Sequence, residues 1–378
     1  MAGISIMPAQ SGDAPRPQLV ISGDDDRISQ IAYLPHGRLV TGSESGAVRV
    51  WNLQSGEQEG TSMEHEKGVF DLVVTWDGSK IISSDEGGEI KVWDVESHKL
   101  VKAWSHPEWY PRIAISPNDR LIAAGCQTAG IYTMEGERVS SIGVGGVVFS
   151  LSFSPDGNKL ACGTLDDIRI YDVEIGTLVL GPLEGQDGIW FVLWSRDGSR
   201  LFSASPDRTI CCWNYNTGER VGQPWTGHTD RIPSLSLSPD GTLLASASWD
   251  GTIRFWDTAL GRPIGQHLQH DTDVHSVSFS PFGEFVASGD VKGNIYMWRV
   301  PRVSSIHHHV ITPFMCIFAL IFIVSQPSPA FPNVRHSRFC SHTPLILCVA
   351  PPRVPSWNRT CTSCLWFVCE YFLNEAIV

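Results

Sequence analysis

The sequence has few charged residues and no excess of positive charge. Asp, Glu, Lys and Arg make up 18% of the 378 residues, and 40 acidic against 28 basic side chains give a formal net charge of −12. A nucleic-acid binder or a protein of anionic membrane surfaces needs a positive field, so this balance argues against both classes. Only six Met residues and few Lys-rich stretches also argue against a predominantly helical protein.

Cysteine is scarce in the first 302 residues, which contain only Cys126, Cys162, Cys211 and Cys212. This scarcity predicts a reduced, intracellular protein, cytoplasmic or nuclear, without a disulfide framework. The first residues include neither a basic region nor a long apolar region, so no secretory signal is predicted.

Motifs that carry chemistry are also missing. The sequence has no G-x-S-x-G elbow, no phosphate loop ending in Gly-Lys-Ser/Thr and no G-x-G-x-x-G fingerprint. His307-His308-His309 and Cys361-x-x-Cys364 have no second ligand pair at a recognisable metal-site spacing. We therefore expect no enzymatic activity, no catalytic residue, no cofactor and no metal site.

An internal repeat dominates the first three quarters of the chain. Each of its seven units ends in an aromatic residue, and successive units are 42, 39, 39, 42, 43 and 42 residues apart. Such regular spacing over seven copies indicates a repeat architecture. The closing residues are Trp51, Trp93, Tyr132, Tyr171, Trp213, Trp256 and Trp298.

The sixth unit shows what each repeat builds. Its segment 234–238, SLSLS, alternates apolar and polar residues as a half-buried strand does, and Pro239-Asp240-Gly241 then predicts a turn. Two further strands and a fourth after Gly261 complete the unit. Seven units of four short antiparallel strands, without helical periodicity, predict an all-β, seven-bladed β-propeller. Residues 17–23 are expected to supply an N-terminal strand that closes the last blade.

These repeats resemble the WD-repeat (Trp-Asp repeat) β-propeller family, of the fungal or G-protein-β-like scaffold type. The resemblance is carried by Gly227-His228, Asp250 and Trp256-Asp257, and the closing pair recurs as Trp93-Asp94 and Tyr171-Asp172. It covers residues 16–302. We expect residues 1–15 to be a flexible N-terminus and residues 303–378 to be a non-repeat, poorly ordered tail.

The resemblance implies a structural quartet in each blade, and the sixth unit matches it fully with His228, Ser246, Asp250 and Trp256. In such a quartet the Trp N–H donates to Ser, Ser contacts His, and His donates to Asp. These residue types could also form a catalytic triad, but their repeat positions favour the structural role.

The resemblance also implies three ligand-contact positions per blade on the narrow face of the disc. At these positions the sequence places aromatic and cationic residues of the kinds enriched in interface hot spots. The alternative is that some of them, especially Phe149 and Trp190, pack inward between blades. The predicted partner-binding residues are Phe70, Trp109, Phe149, Trp190, Arg231, Trp249 and His275.

The predicted function is a non-enzymatic scaffold for protein or peptide partners, monomeric by itself or a subunit of a larger complex. One alternative is a ligand-sensing propeller related to those of larger signalling receptors. The other is an adaptor weakly anchored to a membrane through the tail, where Phe314–Val324 is an apolar run of eleven. That run is shorter than a membrane span, so membrane binding is not favoured. The tail also resembles a translated intron or frame change, and a partner-binding tail is the third interpretation.

Overall fold

A computed structural model describes residues 15–23 and 26–301 of the chain. These residues form seven antiparallel sheets and no helix, so the predicted seven-bladed β-propeller is confirmed. Six sheets have four strands and one has three. Each sheet is a blade, and we number the blades in the order of their innermost strands.

The first three complete blades use consecutive strands. Blade 1 consists of β2 (Ile28–Leu34), β3 (Arg38–Ser43), β4 (Ala47–Asn52) and β5 (Gln58–Glu64). Blade 2 consists of β6 (Val69–Val74), β7 (Lys80–Asp85), β8 (Glu89–Asp94) and β9 (Leu100–Ser105). Blade 3 consists of β10 (Arg112–Ile115), β11 (Leu121–Gly125), β12 (Thr128–Thr133) and β13 (Arg138–Gly143).

The next three blades continue the same order. Blade 4 consists of β14 (Val148–Phe153), β15 (Lys159–Thr164), β16 (Ile168–Asp172) and β17 (Leu178–Leu183). Blade 5 has three strands, β18 (Phe191–Trp194), β19 (Arg200–Ala204) and β20 (Ile210–Asn214). Blade 6 consists of β21 (Ser234–Leu237), β22 (Leu243–Ala247), β23 (Thr252–Asp257) and β24 (Pro263–Gln269).

Blade 7 combines the two ends of the repeat region. Its inner strands are β25 (Val274–Phe279), β26 (Phe285–Asp290) and β27 (Asn294–Arg299), and its outer strand is β1 (Leu19–Ser22). β1 pairs antiparallel with β27, from Leu19 opposite Met297 to Ser22 opposite Asn294. The predicted closure by an N-terminal strand is therefore confirmed.

Blade 5 departs from the expected four strands. Its outer segment pairs with β20 only through two isolated bridges, Ile210 with Trp225 and Trp213 with Arg220. Gly222 adopts a left-handed φ of 74° between the two bridges, and Pro224 has no N–H to donate. The ladder is interrupted between the two bridges for these reasons.

The buried side chains lie between neighbouring blades. Buried residues of β1, β2 and β27, among them Ile21, Ile28 and Ile295, form one such cluster at the junction of blades 7 and 1. Equivalent clusters fill the other junctions, so burial of apolar area holds adjacent blades together.

The innermost strands surround a central cavity of about 340 Å³. At four junctions a side chain of one innermost strand accepts a hydrogen bond from a backbone N–H of the next. The donor–acceptor pairs are Ile113 N to Asp71 Oδ2, Val192 N to Ser150 Oγ, Val277 N to Ser234 Oγ, and Ile31 N to Ser276 Oγ.

Most of the predicted N-terminal segment and the tail 303–378 lie outside the described residues. Within residues 15–23 and 26–301, there is no helix of the length and apolarity that a membrane span requires. Cys126, Cys162, Cys211 and Cys212 are free thiols.

Candidate functional site: the hairpin face

One face of the propeller carries the hairpin between the second and third strand of each blade, and we call it the hairpin face. The loops that lead into the innermost strands lie on the same face, because backbone hydrogen bonds tie them to the hairpins. Trp249 N donates to Arg231 O at 3.0 Å within blade 6, and Val274 N donates to Ser248 O at 3.1 Å across blades 6 and 7. The opposite face carries the turns after the first and third strands, and we call it the turn face.

A cluster of aromatic and cationic side chains spans blades 5 to 7 on the hairpin face. The rings of Trp190 and Trp249 lie 5.2 Å apart and are inclined at 60°. The Arg231 guanidinium lies 5.5 Å from the Trp190 ring centre and 5.2 Å from that of Trp249. His275 lies 5.3 Å from Trp249 on the other side. The Trp249 cluster thus unites four of the seven predicted partner-binding residues: Trp190, Arg231, Trp249 and His275.

A second cluster lies on blades 2 and 3. The rings of Phe70 and Tyr110 meet edge to face with their centres 5.3 Å apart, and the Arg112 guanidinium lies 4.3 Å from the Phe70 ring centre. Beside this Phe70 cluster, Trp109 is 64% exposed and carries Lys67 Nζ at 4.9 Å from its ring centre.

Phe149 occupies a different place from the residues of the Trp249 cluster. Its side chain lines the central cavity together with residues of the neighbouring innermost strands, including Asp71 and Arg112. Trp190, by contrast, faces Trp249 and Arg231. The two residues for which inward packing was the alternative therefore occupy different environments.

Three residues of these clusters were not among the sequence predictions: Lys67, Tyr110 and Arg112. Tyr110 adopts a left-handed φ of 55°, which directs the chain into β10. Arg112 occupies the innermost-strand position that is Asp71 in blade 2 and Ser150 in blade 4. The sequence signal was the replacement of a small polar residue by Arg at this repeat position.

Burial shapes the electrostatics of the hairpin face. Burial, together with the nearby Arg27 charge, lowers the pKa of His275 to about 4, so the imidazole is neutral at pH 7. Burial raises the pKa of Asp71 and lowers that of Arg112, while each residue's charge opposes the shift of the other. Glu44 lies within ion-pair distance of Arg27, so the face has mixed charge.

The quartet residues of blade 6 are joined by hydrogen bonds in the blade interior. Trp256 Nε1 donates to Ser246 Oγ at 2.8 Å, and His228 Nε2 lies 2.7 Å from the same oxygen. His228 Nδ1 donates to Asp250 Oδ2 at 2.9 Å. Burial alone would raise the pKa of Asp250, but hydrogen bonds from His228 and Thr252 outweigh burial and lower it. Each polar group in this series of hydrogen bonds has a partner.

Other blades vary this arrangement. In blade 5, Gln186 takes the His position: Ser203 Oγ donates to Gln186 Oε1, and Gln186 Nε2 donates to Thr209 Oγ1 at 3.0 Å. In blades 2 and 7, an acidic residue lies two positions earlier in the hairpin than Asp250 does in blade 6. These residues are Asp85 and Asp290, and each accepts backbone N–H groups of its own hairpin.

Blade 3 has no quartet, and a carboxylate holds its hairpin instead. Glu108 Oε2 accepts hydrogen bonds from Cys126 N at 3.0 Å and Gln127 N at 2.7 Å, and Glu108 Oε1 accepts one from Thr128 Oγ1 at 3.0 Å. Charge-assisted bonds of this kind are strong, so Glu108 replaces the missing side chains of the quartet.

A family model described as "WD domain, G-beta repeat" matches six segments that together cover more than half of the chain. The matched residues are 15–52, 56–94, 136–172, 177–214, 219–257 and 261–299. The third unit, which ends near Tyr132, lies between the second and third matches, and the structure nevertheless forms β10 to β13 there.

Three known proteins are similar in sequence to this chain. The chain is 28% identical over 192 residues to WD repeat-containing protein SL1-17 of Schistosoma mansoni, covering 48% of this chain and 63% of that protein. It is 30% identical over 210 residues to Protein ROOT INITIATION DEFECTIVE 3 of Arabidopsis thaliana, covering 52% and 38%. It is 30% identical over 145 residues to small ribosomal subunit protein RACK1y of Oryza sativa subsp. japonica, covering 35% and 43%.

Each match spans less than two thirds of the relative's own length. The family model, by contrast, matches repeat after repeat along the propeller, and the blades have the strand order that this family requires. The chain therefore belongs to the WD-domain, G-β-repeat family, whose propellers generally mediate protein–protein interactions and are typically non-enzymatic scaffolds.

Proposed function

We propose that this protein is a non-enzymatic scaffold that binds a folded protein or a peptide on its hairpin face, with the Trp249 cluster at the centre of the contact. The observation that carries the proposal is the Arg231 guanidinium beside Trp190 and Trp249 on a rigid face. Trp and Arg are enriched among the residues that dominate binding energy in protein interfaces. The rigid Trp ring buries a large area with little loss of entropy, and the Arg guanidinium forms charge-assisted hydrogen bonds.

Arg231 gives the cluster a directional contact for a partner. The residue is exposed, and its planar guanidinium can form two parallel hydrogen bonds with a carboxylate. The aromatic rings beside it bury apolar area around that contact. An acidic or C-terminal carboxylate flanked by apolar side chains is therefore the partner chemistry that fits.

Trp109 extends the proposed surface to blades 2 and 3. Its side chain is 64% exposed, and Tyr110 beside it is 44% exposed. Glu44, Glu86 and Asp273 lie in the loops and hairpins of the same face, so its charge is mixed. A surface of mixed charge suits a protein or peptide better than nucleic acid, which requires a dominant positive field.

The proposal extends to the setting of the protein. The intracellular location predicted from the sequence remains part of it, and the four free thiols of the described residues are consistent with a reducing compartment. A role as a subunit of a larger complex would follow from a rigid binding face.

The test is selection of binders from a displayed random-peptide library, followed by affinity measurement with purified variants. Trp109→Ala and Trp249→Ala should each weaken binding by about 2 kcal/mol. Arg231→Met, which retains an extended side chain without the charge, should selectively weaken the binding of peptides that contain a carboxylate. Thermal unfolding should show that Trp109→Ala leaves the fold intact, because that side chain is 64% exposed.

Matched controls lie on the turn face. Trp76 is 80% exposed there, so Trp76→Ala is the same chemical change as Trp109→Ala on the opposite side of the disc. Glu57→Ala and Glu219→Ala probe the outer turns. If Trp76→Ala abolishes binding while Trp109→Ala and Trp249→Ala do not, the binding surface is the turn face and the proposal is wrong.

A further inference from the structure

Blade 2 contains a buried histidine nitrogen without a hydrogen-bond partner among the described residues. His65 Nε2 lies 2.7 Å from Ser83 Oγ, as the quartet position requires, but His65 Nδ1 has no bonded partner although its side chain is fully buried. In blade 6 the equivalent His228 Nδ1 donates to Asp250. Gly87 occupies the position of Asp250 in blade 2, so the usual acceptor is missing there.

Two carboxylates face this nitrogen at longer distances. Asp85 Oδ2 lies 3.6 Å from His65 Nδ1, and Glu89 Oε2 lies 3.9 Å from it. The three ligand atoms all lie within 4.8 Å of one another. Around a tetrahedral zinc ion with bonds of about 2.0–2.1 Å, ligand atoms are separated by about 3.3 Å. Small rotations of the Asp85 and Glu89 side chains would bring all three atoms to that separation.

We propose that His65, Asp85 and Glu89 form a binding site for a divalent transition-metal ion of the zinc type. One imidazole and two carboxylates are ligands that zinc accepts, and three protein ligands leave a fourth position for water. The half-exposed Glu89 leaves that position open toward solvent. The ion would join the loop before β6, the end of β7 and the start of β8.

The surroundings support the three ligands. Asp85 Oδ1 accepts hydrogen bonds from Gly87 N at 2.9 Å and Glu89 N at 2.8 Å, which fix this carboxylate and leave Oδ2 directed toward His65. Ser83 Oγ can accept an N–H from His65 Nε2, so the imidazole can present the Nδ1 lone pair to a metal. Hydrogen bonds to the second nitrogen orient metal-binding histidines in this way.

Lys91 opposes metal binding at this position. Its ammonium lies 3.0 Å from Glu89 Oε2 and donates to Glu64 O at 3.1 Å. Lys91 thus competes with an ion for one carboxylate oxygen. The site would have only moderate affinity as a result, and removal of this positive charge should strengthen it.

Blade 7 provides an internal comparison. His270 of blade 7 corresponds to His65, and Asp290 corresponds to Asp85. At the position of Glu89, however, blade 7 has Asn294. Asn294 Nδ2 and Thr272 Oγ1 donate to Asp290 Oδ2, so this carboxylate already has partners. Only blade 2, among the blades that the structure describes, brings a third ligand to the histidine. The three residues come from separate segments, and no ligand spacing in the sequence indicates them.

The test measures the thermal unfolding midpoint of the full chain with and without zinc. Ligands that bind only the folded state raise this midpoint. The wild type and His270→Gln should show the same rise with zinc, whereas His65→Gln and Glu89→Asn should lose it. Both substitutions copy residues that the chain itself uses at these positions, Gln186 in blade 5 and Asn294 in blade 7. His307 to His309 are present in every variant, so any zinc bound there cancels in the comparison.

Two further measurements keep the proposal falsifiable. Lys91→Met keeps the apolar stem and should lower the zinc concentration at half-maximal shift by on the order of tenfold. Cobalt should give a visible absorption band with the wild type that is absent from Glu89→Asn. If zinc leaves the wild-type midpoint unchanged, or raises that of His65→Gln and Glu89→Asn equally, blade 2 has no metal site. These outcomes are independent of partner binding on the hairpin face.

Discussion

The backbone N–H of Ile31 donates to the hydroxyl of Ser276 at 3.1 Å, which joins the first blade to the last inside the closed ring. Ser276 Oγ in turn donates to Gln30 Oε1 at 3.0 Å. Ile31 and Ser276 are 245 positions apart in the sequence. Ser150 and Ser234 make the same type of contact between blades that are neighbours along the chain.

Ser276→Ala should lower the free energy of unfolding by about 1 kcal/mol, because Ile31 N then loses a buried acceptor. Chemical denaturation measures the change. Ser150→Ala is the matched control at an internal junction and should cost a similar amount. A negligible cost for both variants would mean that these contacts do not stabilise the ring.

Asp250→Ala should cost about 1–3 kcal/mol, since His228 Nδ1 would remain buried without an acceptor. Asp207→Ala should cost less. Asp207 accepts hydrogen bonds from Thr209 and the backbone of Asp187, and Gln186 in its blade reaches Thr209 rather than the carboxylate. The midpoints of thermal unfolding compare the two variants. Equal losses would contradict the quartet interpretation.

Deletion of residues 1–23 should expose the outer edge of β27, which β1 covers in the native ring. Unpaired edges promote aggregation, so the deleted protein should aggregate where a protein lacking residues 1–12 does not. Size-exclusion chromatography with light scattering provides the measurement. A monomeric, cooperatively folding protein without residues 1–23 would show that the ring closes in another way.

Stability should fall as the pH drops from about 6.5 to 4. Burial lowers the pKa of His270 to about 4, below the 6.5 of an exposed histidine. The unfolded chain therefore takes up the proton first, and the native state loses about 1.4 kcal/mol per pH unit for each such group. The stabilising contribution is present above pH 6.5 and is lost toward pH 4.

His270→Gln should reduce the slope of the unfolding midpoint against pH in this window, because one buried titrating group is removed. The slope should not vanish, since burial also lowers the pKa values of His65 and His275 to about 4. His36→Asn, which removes an exposed imidazole from a turn, serves as the control. An unaltered slope in His270→Gln would show that protonation of this residue does not limit acid stability.

The repeat spacing predicted the blades because strands and turns are set by local sequence. Alternation and Ser-Pro-Asp-Gly turns specify β21 and β22 directly, and the position of residues 17–23 before the first unit indicated β1. The interruption in blade 5 was not predicted, although Gly222 and Pro224 signal it.

Side-chain partners across blades were harder to predict. The pairing of Trp190 with Trp249 and the approach of Arg112 to Phe70 depend on the distance between neighbouring blades. A repeat pattern gives the position of a residue within its blade but not the lateral reach of its side chain. His65, Asp85 and Glu89 were missed as a site for a different reason. All three belong to blade 2, but the acid of this blade lies two residues before its expected place.

The pairing of β1 with β27 has a consequence for synthesis of the chain. Leu19 leaves the ribosome 278 residues before Met297, its partner in the last blade. At ~5–20 residues per second, β1 waits roughly 15–55 s for that partner. During this interval the apolar side chains of Leu19 and Ile21 are without the sheet that later buries them, so β1 is the segment of the propeller with the longest need for protection by chaperones.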